Sequence, residues 1–266
     1  MNILVFIKQV PDTTEIKIDP VTNTLIRQGV PSIVNTFDTY ALETAAKIKD
    51  ADPATKIIVA TLGPDQAKEA LKTCLSVGAD KAYLVSDKAF AGSDTLATSY
   101  VLSCVAKEIE KREGTIDLIF CGKQAIDGDT AQVGPELAEH LNLPQITYAL
   151  EVSLEGGKVR ARRETEDGYE VVESSLPAVV TVTKTAYEPR YASVKSKMAA
   201  NRAVIPLLTA ADLEIDTEQA GLKGSPTKVK KTFVPQRKKG GVKLQEESGV
   251  IAAEKLTALL SDAGII

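Results

Sequence analysis

Tryptophan is absent from this chain of 266 residues, and histidine and cysteine are scarce. The single histidine, His140, argues against a catalytic triad or a histidine-rich metal centre, and near the end of a predicted helix it is expected to be a cap or a surface residue. The three cysteines have neither zinc spacing nor a disulfide pattern, and each lies among apolar neighbours, so we expect them in the core. They are Cys74, Cys104 and Cys121.

Long apolar runs are also missing, and the chain opens on a strand-like segment, MNILVFIKQV, rather than on a basic stretch followed by an apolar one. We therefore expect a cytoplasmic protein without membrane insertion. With 44% hydrophobic residues and a formal net charge of −4, the composition is typical of a folded globular protein. A chain of this size buries roughly three quarters of its unfolded surface, which is enough for a core without disulfides.

The usual nucleotide-binding fingerprints are missing as well, since neither GxxxxGK[ST] nor GxGxxG follows a predicted strand. No acid–base pair stands out, because Asp127 and Asp129 lack the neighbouring histidine or second carboxylate cluster that hydrolysis or two-metal chemistry uses. Binding is therefore favoured over acid–base catalysis. Magnesium held by these carboxylates is an alternative, although the same oxygens can accept from ribose hydroxyls.

Apolar runs alternate with helical patterns through the first half of the chain. This alternation predicts an α/β fold, in which an open, mostly parallel sheet is flanked by helices in a Rossmann-like arrangement. The predicted strands are Ile3–Ile7, Ile57–Thr61, Ala82–Val85 and Ile116–Cys121, and the predicted helices are Tyr40–Ile48, Gln66–Leu75, Thr95–Ile109 and Ala131–Leu141.

Loops that follow parallel strands meet at one edge of the sheet, where open α/β folds bind their ligands. Free N–H groups at the helix starts of this edge favour an anion such as phosphate. The sequence therefore predicts a binding site there, formed by the loops Val10–Thr14, Leu62–Asp65, Phe90–Thr95 and Gly122–Thr130, with Val34–Asp38 at another helix entrance.

The segment Ile116–Leu141 gives the strongest signal, because a buried strand is followed by a polar loop and then by helical periodicity. Its glycines permit close approach of the backbone to a ligand, and its polar residues supply donors and acceptors. Ordinary turn formation explains the composition about equally well. The glycines are Gly122, Gly128 and Gly134, and the polar residues are Lys123, Gln124, Asp127, Asp129, Thr130 and Gln132.

Two other helix entrances carry weaker signals. Before the third predicted helix, Gly92 allows close approach of a ligand, so this loop is a candidate for binding a second phosphate group. Capping of the helix by Ser93 or Asp94 explains the same residues equally well. Asn35 and Asp38 likewise cap the first predicted helix or contact a ribose or an adenine edge. The residues leave both alternatives open.

Hairpin patterns mark two departures from the parallel sheet. Residues Glu15–Arg27 predict a β-hairpin insertion, and from Ile146 onward short strand patterns separated by glycine turns predict antiparallel hairpins. The run Ala178–Val182 is then expected to return to the main sheet. We place residues 1–218 in one α/β domain, with its β-rich section near 146–183.

Residues 219–266 predict an extended C-terminal arm. From Gln219 to Gln245 the arm carries eight lysines or arginines and no acidic residue, and Pro226 and Pro235 prevent a continuous helix. A final helix is predicted over Gly249–Leu260. Because the chain as a whole is acidic and the arm has few aromatic residues, we expect a partner-bound or solvated arm and no nucleic-acid binding.

Several short motifs occur in the order in which one known family carries them. Each motif is weak by itself, but together, along nearly the whole chain, they make this sequence resemble the beta subunit of electron transfer flavoproteins. The motifs are an opening strand that ends in a lysine, VNTFD at 34–38, GP at 63–64, SVGAD at 76–80, GKQAID at 122–127, LPAVVT at 176–181 and YEPRYA at 187–192.

The resemblance implies a heterodimer in which an alpha subunit carries one FAD. The beta subunit then contributes an adenine-nucleotide-binding domain, and its C-terminal arm and terminal helix pack on the alpha subunit. In one branch of the family the beta site holds AMP, and in the bifurcating branch it holds a second FAD that accepts hydride from NADH. That branch passes one electron through the alpha-subunit FAD to an acyl-CoA dehydrogenase, such as butyryl-CoA dehydrogenase, and the other to ferredoxin or flavodoxin.

Gly128 and the Val10-Pro11-Asp12 entrance favour the bifurcating branch, because Gly128 leaves room where the other branch has a more crowded acidic run. The main alternative is an AMP-binding beta subunit of a non-bifurcating electron shuttle. A nucleotide-dependent hydrolase or ligase and a purely structural interaction module are more distant alternatives.

The resemblance also assigns residues to roles. Residues 187–202 correspond to the family's docking loop for dehydrogenases, with Tyr191, Val194 and Met198 as the contacts; Val194 is smaller than the usual leucine, and Lys195 replaces a frequent proline. The flavin or NADH side is assigned to Asp12, Gly92, Ser93, Asp94 and Thr95. The cofactor-binding residues are Phe6, Asn35, Asp38, Leu62, Gly122, Lys123, Gln124, Ala125, Asp127, Gly128, Asp129, Thr130, Gln132, Val133 and Gly134.

Overall fold

The computed structural model describes residues 1–12, 31–230 and 241–266. The strands within these ranges are β1 (Asn2–Phe6), β2 (Gln9–Pro11), β3 (Ser32–Val34), β4 (Lys56–Leu62), β5 (Lys81–Val85), β6 (Leu118–Gly122), β7 (Gln145–Glu155), β8 (Lys158–Thr165), β9 (Gly168–Ser175), β10 (Ala178–Val182) and β11 (Leu207–Leu208). The helices are α1 (Thr36–Ala51), α2 (Lys68–Ser76), α3 (Thr95–Glu113), α4 (Val133–Leu141), α5 (Val194–Arg202), α6 (Gly221–Gly224) and α7 (Gly249–Asp262).

Nine of these strands form one sheet, in the order β11-β5-β4-β1-β6-β10-β7-β8-β9. Every neighbouring pair from β11 to β7 is parallel, and β7, β8 and β9 continue the sheet antiparallel. A separate antiparallel pair joins β2 to β3. The predicted α/β class, with an open and mostly parallel sheet flanked by helices, is confirmed.

Strand β1 lies at the centre of the parallel part, which explains its uninterrupted apolar run. Ile3 pairs with Ile57 of β4 on one side and with Leu118 of β6 on the other. Because both faces of the strand are covered, Ile3, Leu4 and Val5 are all fully buried.

Successive side chains of the central strands pack against helices on opposite faces of the sheet. Ile3 and Val5 pack in a core with α1 and α2, whereas Leu4 packs in a second core with α3 and α4. The three cysteines are buried and unpaired, as expected. His140, expected at the surface or as a cap, is instead half-buried in the last turn of α4, where its ring packs edge-on to Tyr100 with centroids 5.7 Å apart.

The predicted β-rich section forms the antiparallel part of the sheet, and Ala178–Val182 returns to the main sheet between β6 and β7. On β8, Val159 and Ala161 alternate with exposed residues and are buried in the core of the α1 face. Where β7 shifts register, Tyr148 adopts a φ of 58°, a conformation that bulky residues rarely take.

Several predicted boundaries need correction. Val10, expected in a loop, lies in β2, because the chain pairs again with β3 further on. Asp38, also expected in a loop, lies in the first turn of α1, and α4 begins at Val133 rather than at Ala131. The predicted Glu15–Arg27 hairpin lies outside the described residues.

The C-terminal part begins with α6 and continues without regular structure over residues 225–230 and 241–248. Helix α7 agrees with the predicted Gly249–Leu260 helix, and none of its residues is buried within the described structure. Its exposed apolar residues include Val250 and Leu256. None of the helices in the described ranges combines the length and the apolar content that crossing a membrane requires.

Candidate functional site

The polar loop after β6 folds as a series of tight turns at the carboxyl edge of the sheet. Its first residue, Lys123, donates its backbone N–H to Val182 O at 2.7 Å, which ties the loop to the end of β10. Ala125 O then accepts from the N–H groups of Gly128 (3.2 Å) and Asp129 (2.9 Å). Asp129 has a φ of 51°, so the chain reverses here in a left-handed conformation that aspartate tolerates.

Asp38 joins the three elements that meet at this edge. One carboxylate oxygen accepts from Lys8 N at 2.7 Å, just after β1, and the other accepts from Gly122 N at 3.1 Å, at the end of β6. Burial raises the pKa of Asp38 to about 7, against the opposing effect of hydrogen bonds from Asn35, Lys8 and Gly122. The carboxyl therefore holds the start of α1 against the ends of two central strands.

Asn35 binds the loop itself. Its amide nitrogen donates to Gln124 O at 2.8 Å, and its amide oxygen accepts from Ile126 N at 3.0 Å. Asn35 occupies the N-cap position of α1, but its side chain makes no capping hydrogen bond, so the capping alternative is wrong for this residue. The side chains of Asn35 and Asp38 thus bind protein backbone, Asn35 at Gln124 and Ile126 in the loop and Asp38 at the ends of β1 and β6.

Gly122 is a glycine because α1 approaches it closely. A Cβ atom at this position would lie 2.3 Å from Asp38 Oδ1 and 2.8 Å from the carbonyl carbon of Phe37. The close approach expected at this glycine is therefore to protein backbone and a carboxylate. At Gly128, by contrast, a Cβ would meet no atom of the described structure within 4 Å, so the space beside this exposed residue is open.

Lys8 belongs to the site, although it was not among the predicted site residues. Its ammonium lies 2.6 Å from Asp127 Oδ1. Asp129 in turn accepts from Gln124 Nε2 at 2.7 Å. The two aspartates of the loop are therefore bound to different side chains, and the only signal that could have found Lys8 is its place at the end of the first strand.

The start of α4 faces the same edge with its backbone donors. Gln132 occupies the N-cap position, but its side chain does not accept from the helix N–H groups. It accepts from Thr95 Oγ1 at 3.3 Å instead. The N–H groups of Val133 and Gly134 have no side-chain cap among the described residues, whereas Pro135 has no N–H and Glu136 N donates to Gln132 O. Free N–H groups at a helix start can bind an anion.

The loop before α3, expected to hold a second phosphate or only to cap the helix, contacts the C-terminal arm. Asp94 caps α3 by accepting from Ala97 N at 3.0 Å, which confirms the capping alternative for this residue. Its second oxygen accepts from Thr227 N and Thr227 Oγ1, and Ser93 Oγ accepts from Gly221 N at 3.1 Å.

Gly92 lies against the same segment, since a Cβ there would fall 2.6 Å from Leu222 Cγ. The C-terminal arm therefore packs against Gly92, Ser93 and Asp94. Of the residues assigned to the flavin or NADH side, Thr95 is the one whose side chain reaches the loop after β6.

The remaining predicted site residues lie along the same edge. Phe6 is buried at the end of β1, and Leu62 is partly buried at the end of β4. Asp12 is exposed after β2, and its N–H donates to Pro31 O at 2.7 Å. Gly134 brings α4 close to β10, since a Cβ at this position would lie 2.4 Å from Thr181 Cγ2.

The predicted docking residues are exposed on the surface beside α2 and α5. Tyr191 is 98% exposed, Val194 is 77% exposed and Met198 is 53% exposed. Large apolar side chains grouped at such exposure are typical of an interaction surface.

Known proteins resemble this chain along most of its length. The family model described as "Electron transfer flavoprotein domain" matches residues 22–213. The chain is 52% identical over 249 residues to the electron transfer flavoprotein subunit beta of Megasphaera elsdenii, covering 93% of this chain and 92% of that protein.

Two differently named relatives also match. The caffeyl-CoA reductase-Etf complex subunit CarD of Acetobacterium woodii is 47% identical over 266 residues, which is 100% of both chains. Protein FixA of Azorhizobium caulinodans is 40% identical over 262 residues, covering 97% of this chain and 93% of that protein.

The parallel sheet, with the loop after β6 and the open start of α4 at its carboxyl edge, places the chain in the class of open α/β proteins, which bind their ligands at this edge. Because the family model spans more than half of the chain and its relatives match nearly end to end, the chain belongs to the electron transfer flavoprotein family, as a beta subunit. The resemblance drawn from the motifs is confirmed. This family binds flavin or AMP cofactors, and its beta subunits pair with an alpha subunit.

Proposed function

We propose that this chain is the cytoplasmic beta subunit of an electron-bifurcating flavoprotein, and that its nucleotide site holds FAD rather than AMP. The observation that supports FAD is the open space at Gly128, where a Cβ would meet no atom within 4 Å although the flanking residues are held by hydrogen bonds. An adenine nucleotide held by this loop can therefore extend past Gly128.

The residues at the edge fit such a cofactor. Backbone N–H groups at the start of α4 supply positive potential for a pyrophosphate. The ammonium groups of Lys8 and Lys123 are donors that a pyrophosphate would share with their carboxylate partners, Asp127 at 2.6 Å and Glu164 at 3.7 Å. The exposed Thr130 and Gln132 supply hydroxyl and amide groups for ribose or ribityl oxygens. Asn35 and Asp38 act indirectly in this proposal, by fixing the loop backbone so that these donors stay in place.

FAD held at this site would supply two-electron redox chemistry: NADH would reduce it by hydride transfer, and its two electrons would then pass singly, one to the alpha-subunit FAD and one to ferredoxin or flavodoxin. The chain itself binds and orients the nucleotide and presents the docking loop. An acyl-CoA dehydrogenase such as butyryl-CoA dehydrogenase would receive the electron on the alpha-subunit side. The name of the Acetobacterium woodii relative, which places that protein in a complex with a caffeyl-CoA reductase, supports an acyl-CoA partner.

The flavin content of the purified complex tests the proposal. We expect the chain, coexpressed with its alpha subunit, to carry two FAD per heterodimer, and we expect NADH to bleach the flavin absorbance. One FAD together with AMP, and no bleaching by NADH, would refute the proposal in favour of a non-bifurcating shuttle.

Gly128 provides a matched pair of variants. Gly128→Leu should place a side chain in the open space and lower the flavin content toward one FAD per heterodimer, whereas Gly128→Ala should retain both. Equal flavin content in the two variants would show that the space at Gly128 does not hold the cofactor.

A further inference from the structure

One face of α1 holds residues 187–190, the first part of the docking loop at 187–202. Tyr40 donates its hydroxyl to Glu188 Oε2 at 3.1 Å, and the hydroxyls of Thr44 and Tyr187 are 2.7 Å apart. Residues 40 and 44 lie one helical turn apart, so they project from the same side of α1. The segment is therefore bound along the helix before it reaches the surface.

Arg190 makes the densest set of these contacts. Its guanidinium donates to both oxygens of Glu43, at 2.8 and 3.0 Å, and to both oxygens of Asp50, at 3.2 and 2.6 Å. Its backbone N–H also donates to Glu43 at 3.0 Å. Glu43 is buried against this guanidinium, and the hydrogen bond from Arg190 lowers the pKa of Asp50.

Directly after Arg190 the chain turns outward. Tyr191 is almost fully exposed, and Ser193 caps α5 by accepting from Ser196 N at 3.0 Å. Toward the other end of α5, Ala200 is buried, and α5 packs against α2. Two attachment points therefore flank the exposed docking residues. Arg190 binds Glu43 and Asp50 of α1 on one side, and Ala200 is buried on the other side, in the helix that packs against α2.

We propose that Arg190 is a positioning residue for partner docking, and that its ion pairs with Glu43 and Asp50 set the geometry of the surface formed by Tyr191, Val194 and Met198. The inference rests on the proposed function, since it takes this surface to be the one that meets an acyl-CoA dehydrogenase. A planar guanidinium that binds two carboxylates allows little rotation, and a surface ordered before contact loses less entropy on binding.

The position of Arg190 also separates docking from cofactor binding. Asp50 lies twelve residues after Asp38 on the same helix, about 18 Å away at 1.5 Å per residue. At the start of α1, Asp38 binds Gly122, where the loop after β6 begins. Near the end of α1, Asp50 binds Arg190 of the docking loop. A change at Arg190 should therefore alter docking and leave the nucleotide loop in place.

The test uses the heterodimer with Arg190→Ala, Arg190→Lys or Asp50→Asn, and with Arg112→Ala as a control. Arg112 forms a comparable ion pair with Glu108 within α3, at 2.6 Å, but does not contact the docking segment. The readouts are flavin content, KM and kcat with butyryl-CoA dehydrogenase as electron acceptor, and hydrogen exchange of residues 191–199.

For Arg190→Ala we expect KM for the dehydrogenase to rise about tenfold, with kcat and flavin content unchanged and faster exchange in residues 191–199. Arg190→Lys and Asp50→Asn should give smaller increases, because each keeps part of the network. Arg112→Ala should match the wild type.

Unchanged exchange in residues 191–199, or faster exchange with an unchanged KM, would overturn the inference. Loss of flavin in Arg190→Ala would also overturn it, since the network would then act on the fold as a whole. If the wild-type heterodimer does not reduce butyryl-CoA dehydrogenase, the proposed partner is refuted, and the exchange measurement alone decides the role of Arg190.

Discussion

At the scale of single residues, the candidate site depends on close contacts between groups far apart in sequence. Gly122 accepts no side chain because Asp38 and the backbone of Phe37 occupy the space beside it. Asp38 uses both of its oxygens to hold the ends of two strands, so its carboxyl is a structural group of the site. Residues that resemble ligand-binding groups in the sequence thus serve to shape the loop.

Gly122→Ala should destabilise the protein by about 2–3 kcal/mol and reduce its cofactor content, because the added methyl group must displace Asp38 or the start of α1. Thermal unfolding and the flavin and nucleotide content of the purified heterodimer measure both effects. Gly128→Ala is the matched control, expected to change stability by less than about 0.5 kcal/mol. Equal effects of the two substitutions would contradict the packing argument at Gly122.

At the scale of elements, one residue, Asp94, binds both helix α3 and the C-terminal arm. Asp94 caps α3 through Ala97 N, and it holds the arm through both the N–H and the hydroxyl of Thr227. Ser225 adds a contact by accepting from Asp94 N at 2.9 Å. Although burial opposes ionisation, these hydrogen bonds lower the pKa of Asp94. The arm is therefore attached to the body of the domain at the start of α3.

Asp94→Ala should lower stability by about 1–2 kcal/mol through the lost cap, and it should also release the arm. Chemical unfolding measures the first effect, and the rate of limited tryptic cleavage at Lys228 and Lys230 measures the second. Thr227→Val removes only one hydrogen bond to the arm, so it should speed cleavage with a loss of stability below about 1 kcal/mol. Cleavage at the wild-type rate in Asp94→Ala would show that the arm is held elsewhere.

At the scale of the whole molecule, the carboxyl and amino edges of the parallel sheet carry different groups. The carboxyl edge carries the candidate site, and the amino edge carries a charged cluster around the buried side chain of Glu113. Lys56, Lys81 and Tyr83 all donate to this carboxylate. Although burial opposes ionisation, these hydrogen bonds lower the pKa of Glu113 to about 2. The cluster joins β4, β5 and the end of α3 far from the nucleotide loop.

Glu113→Gln should reduce the free energy of unfolding by about 2 kcal/mol at pH 7 without changing cofactor content. Because the folded pKa is depressed, the charge of Glu113 stabilises the wild type above the ordinary glutamate value of 4.5, and this contribution is lost as pH falls from 4.5 toward 2. Unfolding curves from pH 3 to 7 should therefore show the two proteins converging in acid. The exposed Glu139→Gln on α4 is the control, and a pH-independent gap for Glu113→Gln would contradict this assignment.

Much of the fold could be predicted because its signals are local. The apolar run of β1 and the helical spacing of α3 are visible within single segments, and the alternation of such segments predicts parallel pairing. The glycine turns between β7, β8 and β9 predicted the antiparallel section in the same way. Strand β2, which contains Val10, was missed because it has three residues and its partner, β3, is more than twenty residues away.

The sequence by itself determined the α/β class, the edge of the sheet where the loops meet and, through its ordered motifs, the family, because each depends on residues close together in the chain. Only the tertiary structure decided what the site residues do. Asn35 and Asp38 bind loop backbone more than eighty residues away, Gly92 and Asp94 receive the arm, and Arg190 meets its carboxylates 140 or more residues earlier. Hydrogen bonds and packing contacts of this kind form only when the folded chain brings distant segments together.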